Sequence, residues 1–351
     1  MPNAEVMESF SGRTVVVTGG TGVVGRQIVG LLCQARATVR VVSLDDFHVH
    51  PQAEHVVGDL TDFAFCRSVT RDADDVFHVA GVKGSVAVTR TKPASLFVPL
   101  LMMNTNVLEA CRINRVQRVV YTSSIGAYPD AEILREPTEA EQRPPMDEFP
   151  GWAKRMGELQ IRAYAIQYGL DQFSIVRLCN VYGPGDNFDP ESAQVIPSLM
   201  AKIFRMDDPV IVWGDGSAIR DFAYSEDIAN GVILSLCHRT GPRVVNLSSG
   251  RGYSIREVVE TLHSFLEFND VFDATKPSGQ PKRVMDISLA RERLGFQALT
   301  PLAEGLRKTW EWYVQHADEH FRRMNYLKEL PDGGDPDRAR RRSAHQAAHH
   351  L

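Results

Sequence analysis

The chain has 351 residues, 43% hydrophobic and 24% charged, a globular balance that excludes a disordered or fibrous protein. Its formal net charge of −5 gives no basis for nucleic-acid binding, which calls for a basic face. No apolar run approaches the roughly 20 residues needed to cross a bilayer, so no membrane span is expected.

Residues 1–12 are polar and acidic and lack a signal-peptide pattern. In chain order, short β-branched runs at 14–18, 39–42, 76–79, 118–122 and 173–176 read as buried strands. Between them, residues 24–35, 95–112 and 152–168 carry apolar residues at helical spacing. This alternation predicts an α/β fold with a doubly wound parallel sheet over residues 13–183. Beyond Pro184 the pattern loosens into strands at 210–213 and 244–247 and helices at 196–204, 228–237 and 255–268. These predict a smaller C-terminal α/β lobe for substrate over residues 184–313, interleaved with the first unit. Residues 331–351, DGGDPD and RARRR followed by small and His residues, predict a disordered tail. The five cysteines are scattered singly, with neither a zinc spacing nor a disulfide framework. Buried, reduced thiols, a cytoplasmic location and no metal are expected.

The sharpest local pattern is TVVVTGGTGVVG, residues 14–25. A buried strand runs into glycines three apart and then into a helix. Gly19 permits the tight turn, Gly22 lets backbone approach a pyrophosphate, and Gly25 lets the helix pack on the strand. With Thr21, Val23 and Val24, this loop predicts a Rossmann-type dinucleotide site in which helix N–H groups face phosphate. An acid should follow the second strand to meet the adenosine ribose. Ser43 holds the usual position, and Asp45 and Asp46 come just after it. Carboxylates repel a 2′-phosphate, and no Arg or Lys lies between Val41 and Cys66, which favours NAD; the small Ser43 keeps NADP possible. Asp59 and Leu60 of GDLTD, and Ala80 and Gly81 at the end of HVAG, fit the same pocket. Asp59 could accept from the adenine amino group.

These segments, together with NVLEAC, YTSS, WAKRMGE, RLCNVYGP, WGDGSAIRDF and PSGQPKRVMDISLARERLGF, resemble the extended short-chain dehydrogenase/reductases. That family comprises NAD-dependent sugar-nucleotide epimerases, dehydratases and reductases. VYGPGDNFDPESAQVIPSL is most similar to GDP-fucose synthase-like members. The resemblance covers residues 13–313. It implies hydride transfer at a carbon of a nucleoside-diphosphate sugar, and a homodimer paired through helices 95–112 and 152–168. It assigns substrate positioning to Ser124, with Ser123 as the fallback. Lys154 matches the Lys of the YxxxK motif, which holds the cofactor ribose and lowers the Tyr pKa. Asn180, Arg220 and Arg283 match residues that meet the sugar diphosphate, and Lys83 is a further substrate-side candidate.

The pattern breaks at the proton donor. Four residues before Lys154 stands Pro150, where the family has its Tyr. Tyr128, four residues after Ser124, is a phenol that could approach the pocket. Asp147 and Glu148 are candidates for a replacement base, although solvated loop carboxylates is the preferred reading of both. The fucose synthases also place a His before VIP and a Cys shortly after the Ser; here these are Gln194 and Gly126, and neither can move a proton. Three readings follow: an active enzyme with an unorthodox proton donor; a protein that retains cofactor and nucleotide-sugar sites but has lost or altered catalysis because Pro150 replaces the Tyr; or an oxidoreductase of the same fold acting on an unrelated alcohol, against which the diphosphate-type residues count.

Overall fold

The computed structural model describes residue 2 and residues 4–82, 84, 86–136, 143–189 and 192–322. Residues 331–351, read from the sequence as a disordered tail, lie outside them, as does Lys83.

The first half runs α1 (Ala4–Glu8), β1 (Thr14–Thr18), α2 (Gly25–Gln34), β2 (Thr38–Ser43), β3 (Glu54–Val57), α3 (Phe63–Val69) and β4 (Asp75–His78). It continues through α4 (Val86–Thr91), α5 (Pro93–Ile113), β5 (Arg118–Ser124), the short 3₁₀ turn Ile125–Ala127, α6 (Glu148–Tyr168) and β6 (Phe173–Leu178). The second half contributes β7 (Asn180–Tyr182), α7 (Val195–Phe204), β8 (Val210–Trp213), β9 (Ile219–Tyr224), α8 (Ser225–Cys237) and β10 (Val244–Leu247). Then come β11 (Gly252–Ser254), α9 (Ile255–His263), β12 (Asp270–Asp273), β13 (Lys282–Arg283), α10 (Ser288–Leu294), α11 (Leu302–Gln315) and α12 (Ala317–Arg322).

Seven strands form one parallel sheet in the order β10-β6-β5-β4-β1-β2-β3. Its central strands are β-branched and covered on both faces, so nearly every residue of β1, β4 and β5 is buried. Strand order reverses between β1 and β4, which leaves a crevice at their carboxyl ends, where an open α/β sheet binds its ligand. β10, from late in the chain, completes one edge beside β6. The remaining strands make two small sheets: β7, β9, β11 and β13 pair around β9, and β12 pairs with β8.

Two expectations change. Helix α6 starts at Glu148, not near residue 152. A proline is tolerated in the first helical turn, where its missing N–H would have no intrahelical partner. Pro150 is therefore helical. Secondly, α5 is 21 residues long and, by length and composition, apolar enough to cross a membrane, with mean hydropathy 1.3 in its best window. Half of that window is buried within the protein, because α5 packs along α6 and over the sheet.

Candidate active site

At the end of β1 the chain turns through Gly19, whose φ of +68° favours glycine. A Cβ there would stand 2.7 Å from the Ala80 Cα, so β4 and the loop touch only because Gly19 has no side chain. At Gly25 a Cβ would lie 2.3 Å from the Gly19 carbonyl oxygen, which is why helix α2 can begin so close to the strand. Its N-cap, Val24, gives no side-chain hydrogen bond, and the start of a helix is where backbone N–H groups suit phosphate oxygens. Gly19, Thr21, Gly22, Val23, Val24 and Gly25 all line one large cavity. This shape fits a dinucleotide pyrophosphate.

Asp45, two residues past β2, folds back into the same wall and is buried. Thr21 Oγ1 donates to Asp45 Oδ2 at 2.6 Å and shares a 2.7 Å hydrogen bond with Ser43 Oγ. The sequence offset between Ser43 and Asp45 thus closes into a single polar cluster. Asp59 Oδ1 accepts from Thr61 N at 2.8 Å. The Leu60 carbonyl accepts from the Asn106 side chain at 3.2 Å. Both residues line the cavity, as do Ala80 and Gly81.

Ser124 ends β5 and lines the cavity; its Oγ accepts from Gly126 N at 3.1 Å. Lys154 Nζ donates to the Thr122 carbonyl at 2.7 Å and sits 3.8 Å from where a Gly81 Cβ would be. Pro150 lies one helical turn before Lys154, on the same cavity wall. Ser123 lines the cavity but its hydroxyl is engaged by Glu158, and Tyr128 is not on the cavity wall. Successive strand side chains point to opposite faces, so Ser123 Oγ donates into the core to Glu158, which Arg177 holds through two hydrogen bonds of 2.8 and 2.7 Å. Tyr128 is buried, donates to Asn246 Oδ1 at 2.7 Å, and lies under the Arg177 guanidinium at 4.2 Å. Burial raises its phenol pKa well above the usual value.

The far end of the cavity is basic. β9 and β13 pair with Arg220 opposite Arg283. Arg220 donates to the carbonyls of Ile219 and Ser278, each at 2.8 Å. Burial, reinforced by the charge of Arg283, pulls its guanidinium down to about 10. Two neighbouring guanidinia, one of them desolvated, make a site that an anion stabilises. Asn180, also on the wall, donates to the Asp221 carbonyl at 3.0 Å. Arg283 is held by Asp147 through hydrogen bonds of 2.8 and 3.2 Å. Asp147 is therefore not the solvated loop carboxylate that its sequence context suggested. It precedes α6 at the N-cap and lines the cavity. The sequence signal that could have found it was the helix start, had Pro150 been read as a first-turn residue.

One cavity of about 1760 Å³ joins the glycine loop, Ser124, Lys154 and the two arginines. Single small-molecule sites typically occupy ~300–1,000 Å³, so this volume suits two ligands end to end.

Residues 15–248 match the family model described as the NAD dependent epimerase/dehydratase family. The chain is 31% identical over 330 residues to the probable GDP-L-fucose synthase 1 of Oryza sativa subsp. japonica, covering 90% of this chain and 96% of that protein. Among solved structures, MoeE5 in complex with UDP-glucuronic acid and NAD superimposes with a TM-score of 0.75 at 26% identity, covering 86% of this chain and 99% of that one. An epimerase from Methanothermobacter thermautotrophicus shares the fold, with a TM-score of 0.79 at 24% identity over 90% of this chain and 96% of its own. The sheet, the glycine loop and these matches agree: the chain belongs to the NAD-dependent epimerase/dehydratase family.

Proposed function

We propose that the protein is an NAD-dependent enzyme that moves a hydride at a sugar carbon of a nucleoside-diphosphate sugar, in an epimerase, dehydratase or reductase reaction. The observation that carries this is the continuity of the cavity. Its glycine-loop end suits a dinucleotide, its arginine end suits a second diphosphate, and Ser124 and Lys154 lie on the wall they share. Bound NAD would supply the hydride acceptor. The chain's own part is to orient the reacting groups. Ser124 Oγ hydrogen-bonds the substrate oxygen, Lys154 holds the cofactor ribose, and Arg220, Arg283 and Asn180 hold the sugar diphosphate. Positioning of this kind lowers the barrier by pre-ordering the reactants.

The MoeE5 complex, with a UDP-sugar and NAD, supports this pairing of ligands. The relation to GDP-L-fucose synthases does not extend to their proton-transfer pair, since Gln194 and Gly126 stand in those positions. NAD is preferred to NADP because the buried Asp45 carboxylate, held by Thr21, would repel a 2′-phosphate. Dimerisation through α5 and α6 is supported by the apolar residues each leaves exposed, Val98 and Met102 on one and Leu159 and Ile166 on the other. A cytoplasmic location is supported by the cysteines, four of which are buried, none in a disulfide.

Calorimetric titration of nucleoside diphosphates, monophosphates and nucleosides into the NAD-loaded protein tests the reading. Affinity should rise with the second phosphate, and Arg220→Ala should remove most of that gain. Equal affinity for nucleoside and nucleoside diphosphate would refute it.

A further inference from the structure

We infer that Asp147 is the proton-transfer residue of this site; the inference rests on the nucleotide-sugar reading above. Two positions at which the family resemblance places proton-handling side chains hold Pro150 and Gly126, and neither can ionise. The structure puts a carboxylate between them. A Cβ built on Gly126 would lie 2.3 Å from Asp147 Oδ2 and 2.9 Å from its Cγ. The Asp147 side chain thus occupies the volume that a side chain at 126 would fill, and residue 126 has to be glycine for it to do so.

The backbone fixes this arrangement. Asp147 N donates to the Gly126 carbonyl at 3.2 Å, and the Asp147 carbonyl accepts from Gly151 N at 2.6 Å. A Cβ on Gly151 would stand 2.6 Å from the Gly126 carbonyl oxygen, so glycines on both sides let the start of α6 close down on the turn after β5. That turn begins at Ser124, whose Oγ caps Gly126 N. Asp147, Ser124, Pro150 and Lys154 consequently share one stretch of cavity wall. Arg283 grips both carboxylate oxygens through Nη1 and Nη2, orienting the group and tying it to the diphosphate end of the cavity.

In the oxidative direction the sugar O–H and C–H bonds break and a C=O bond forms. The proton passes to an Asp147 carboxylate oxygen, and bound NAD would accept the hydride with its electron pair. Reduction returns both, and the acid form of Asp147 gives the proton back. A positioned general acid or base contributes about 10²- to 10⁴-fold to rate.

The test uses the NAD-loaded protein and a nucleotide sugar that the parent converts, with products followed by mass spectrometry and NMR. Asp147→Asn keeps the shape and loses the proton acceptor. Its kcat should fall by about 10²-fold or more, with KM for the nucleotide sugar within about threefold and NAD affinity unchanged. The double variant Gly126→Asp with Asp147→Ala returns a carboxylate to the same space from the turn after β5. It should recover at least about tenfold over Asp147→Ala alone, which a structural role would not allow. Asp147→Asn with a kcat near the parent's overturns the assignment, as does a folded, NAD-binding double variant with no recovery. If the double variant does not fold, Asp147→Asn decides alone. A parent that binds NAD yet converts no nucleotide sugar overturns the functional reading and this assignment together, and that result is seen before any variant is made.

Discussion

Tyr128 shows how far a side chain's role depends on what surrounds it. By sequence it is a phenol four residues past Ser124 that could approach the pocket; in the fold it is a buried strut between Asn246 and Arg177. Tyr128→Phe should cost about 1–2 kcal/mol in denaturant unfolding, because it strands a buried acceptor, and should leave turnover unchanged. A large loss of kcat without loss of stability would return Tyr128 to the chemistry. His78 offers a second check. Its ring is fully buried, with Nδ1 bonded to Thr18 Oγ1 at 2.7 Å and Nε2 to Asn104 Oδ1 at 3.1 Å. Burial, aided by the charge of Lys154, lowers its pKa from 6.5 to about 3. Between those values the unfolded chain binds a proton that the folded protein refuses, so stability falls as pH falls. Going from about pH 7.5 to about pH 5, this one group should remove on the order of 2 kcal/mol. His78→Asn should flatten the stability–pH curve in that window, and an unchanged slope would contradict the account. The glycine positions were legible from sequence because close backbone approach admits only one residue type. Asp147 was legible only as one of two candidate acids set aside as solvated, because its place depends on Gly126 and Gly151, which come near it only once the sheet and α6 have packed.

Helices α5 and α6 carry the next scale. Strand–helix alternation announced both, but the apolar spacing began at residue 152 and so missed the first turn of α6, which Pro150 occupies. The small strands β7, β9, β11 and β13 were harder. β9 carries Arg220 and the two-residue β13 carries Arg283, and they pair across a long sequence separation, so no local pattern sets them together. Residue matches found the arginines; the pairing that sets them side by side is a product of the tertiary fold. The outer faces of α5 and α6 keep Val98, Met102, Leu159 and Ile166 in solvent, and burying such a stripe against a second copy is favourable. Met102→Glu combined with Leu159→Lys should convert a dimer to a monomer in analytical ultracentrifugation without lowering NAD affinity. A parent that is monomeric across micromolar concentrations would refute the dimer.

For the whole molecule, the parallel sheet supplies a crevice at its switch point and the second half of the chain roofs it with basic residues. Asp45, the glycine loop, Ser124 and Arg220 line one cavity, which on the proposed function joins a cofactor site to a substrate site. NAD should accordingly bind more tightly than NADP in direct titration, by about tenfold or more if the Asp45 carboxylate faces a 2′-phosphate; tighter NADP binding would mean that Ser43 governs the ribose end. The claim on which the rest depends is catalysis of a change in a nucleotide-linked sugar. The most direct measurement is incubation of the purified protein and NAD with a panel of nucleoside-diphosphate sugars, with the products resolved by mass spectrometry and NMR rather than by cofactor absorbance, which a recycled cofactor would not change. The account predicts a new sugar, either isomeric with one member of the panel or differing from it by the loss of water or the gain of two hydrogens. It is contradicted if NAD and a nucleotide sugar both bind and every sugar is recovered unchanged.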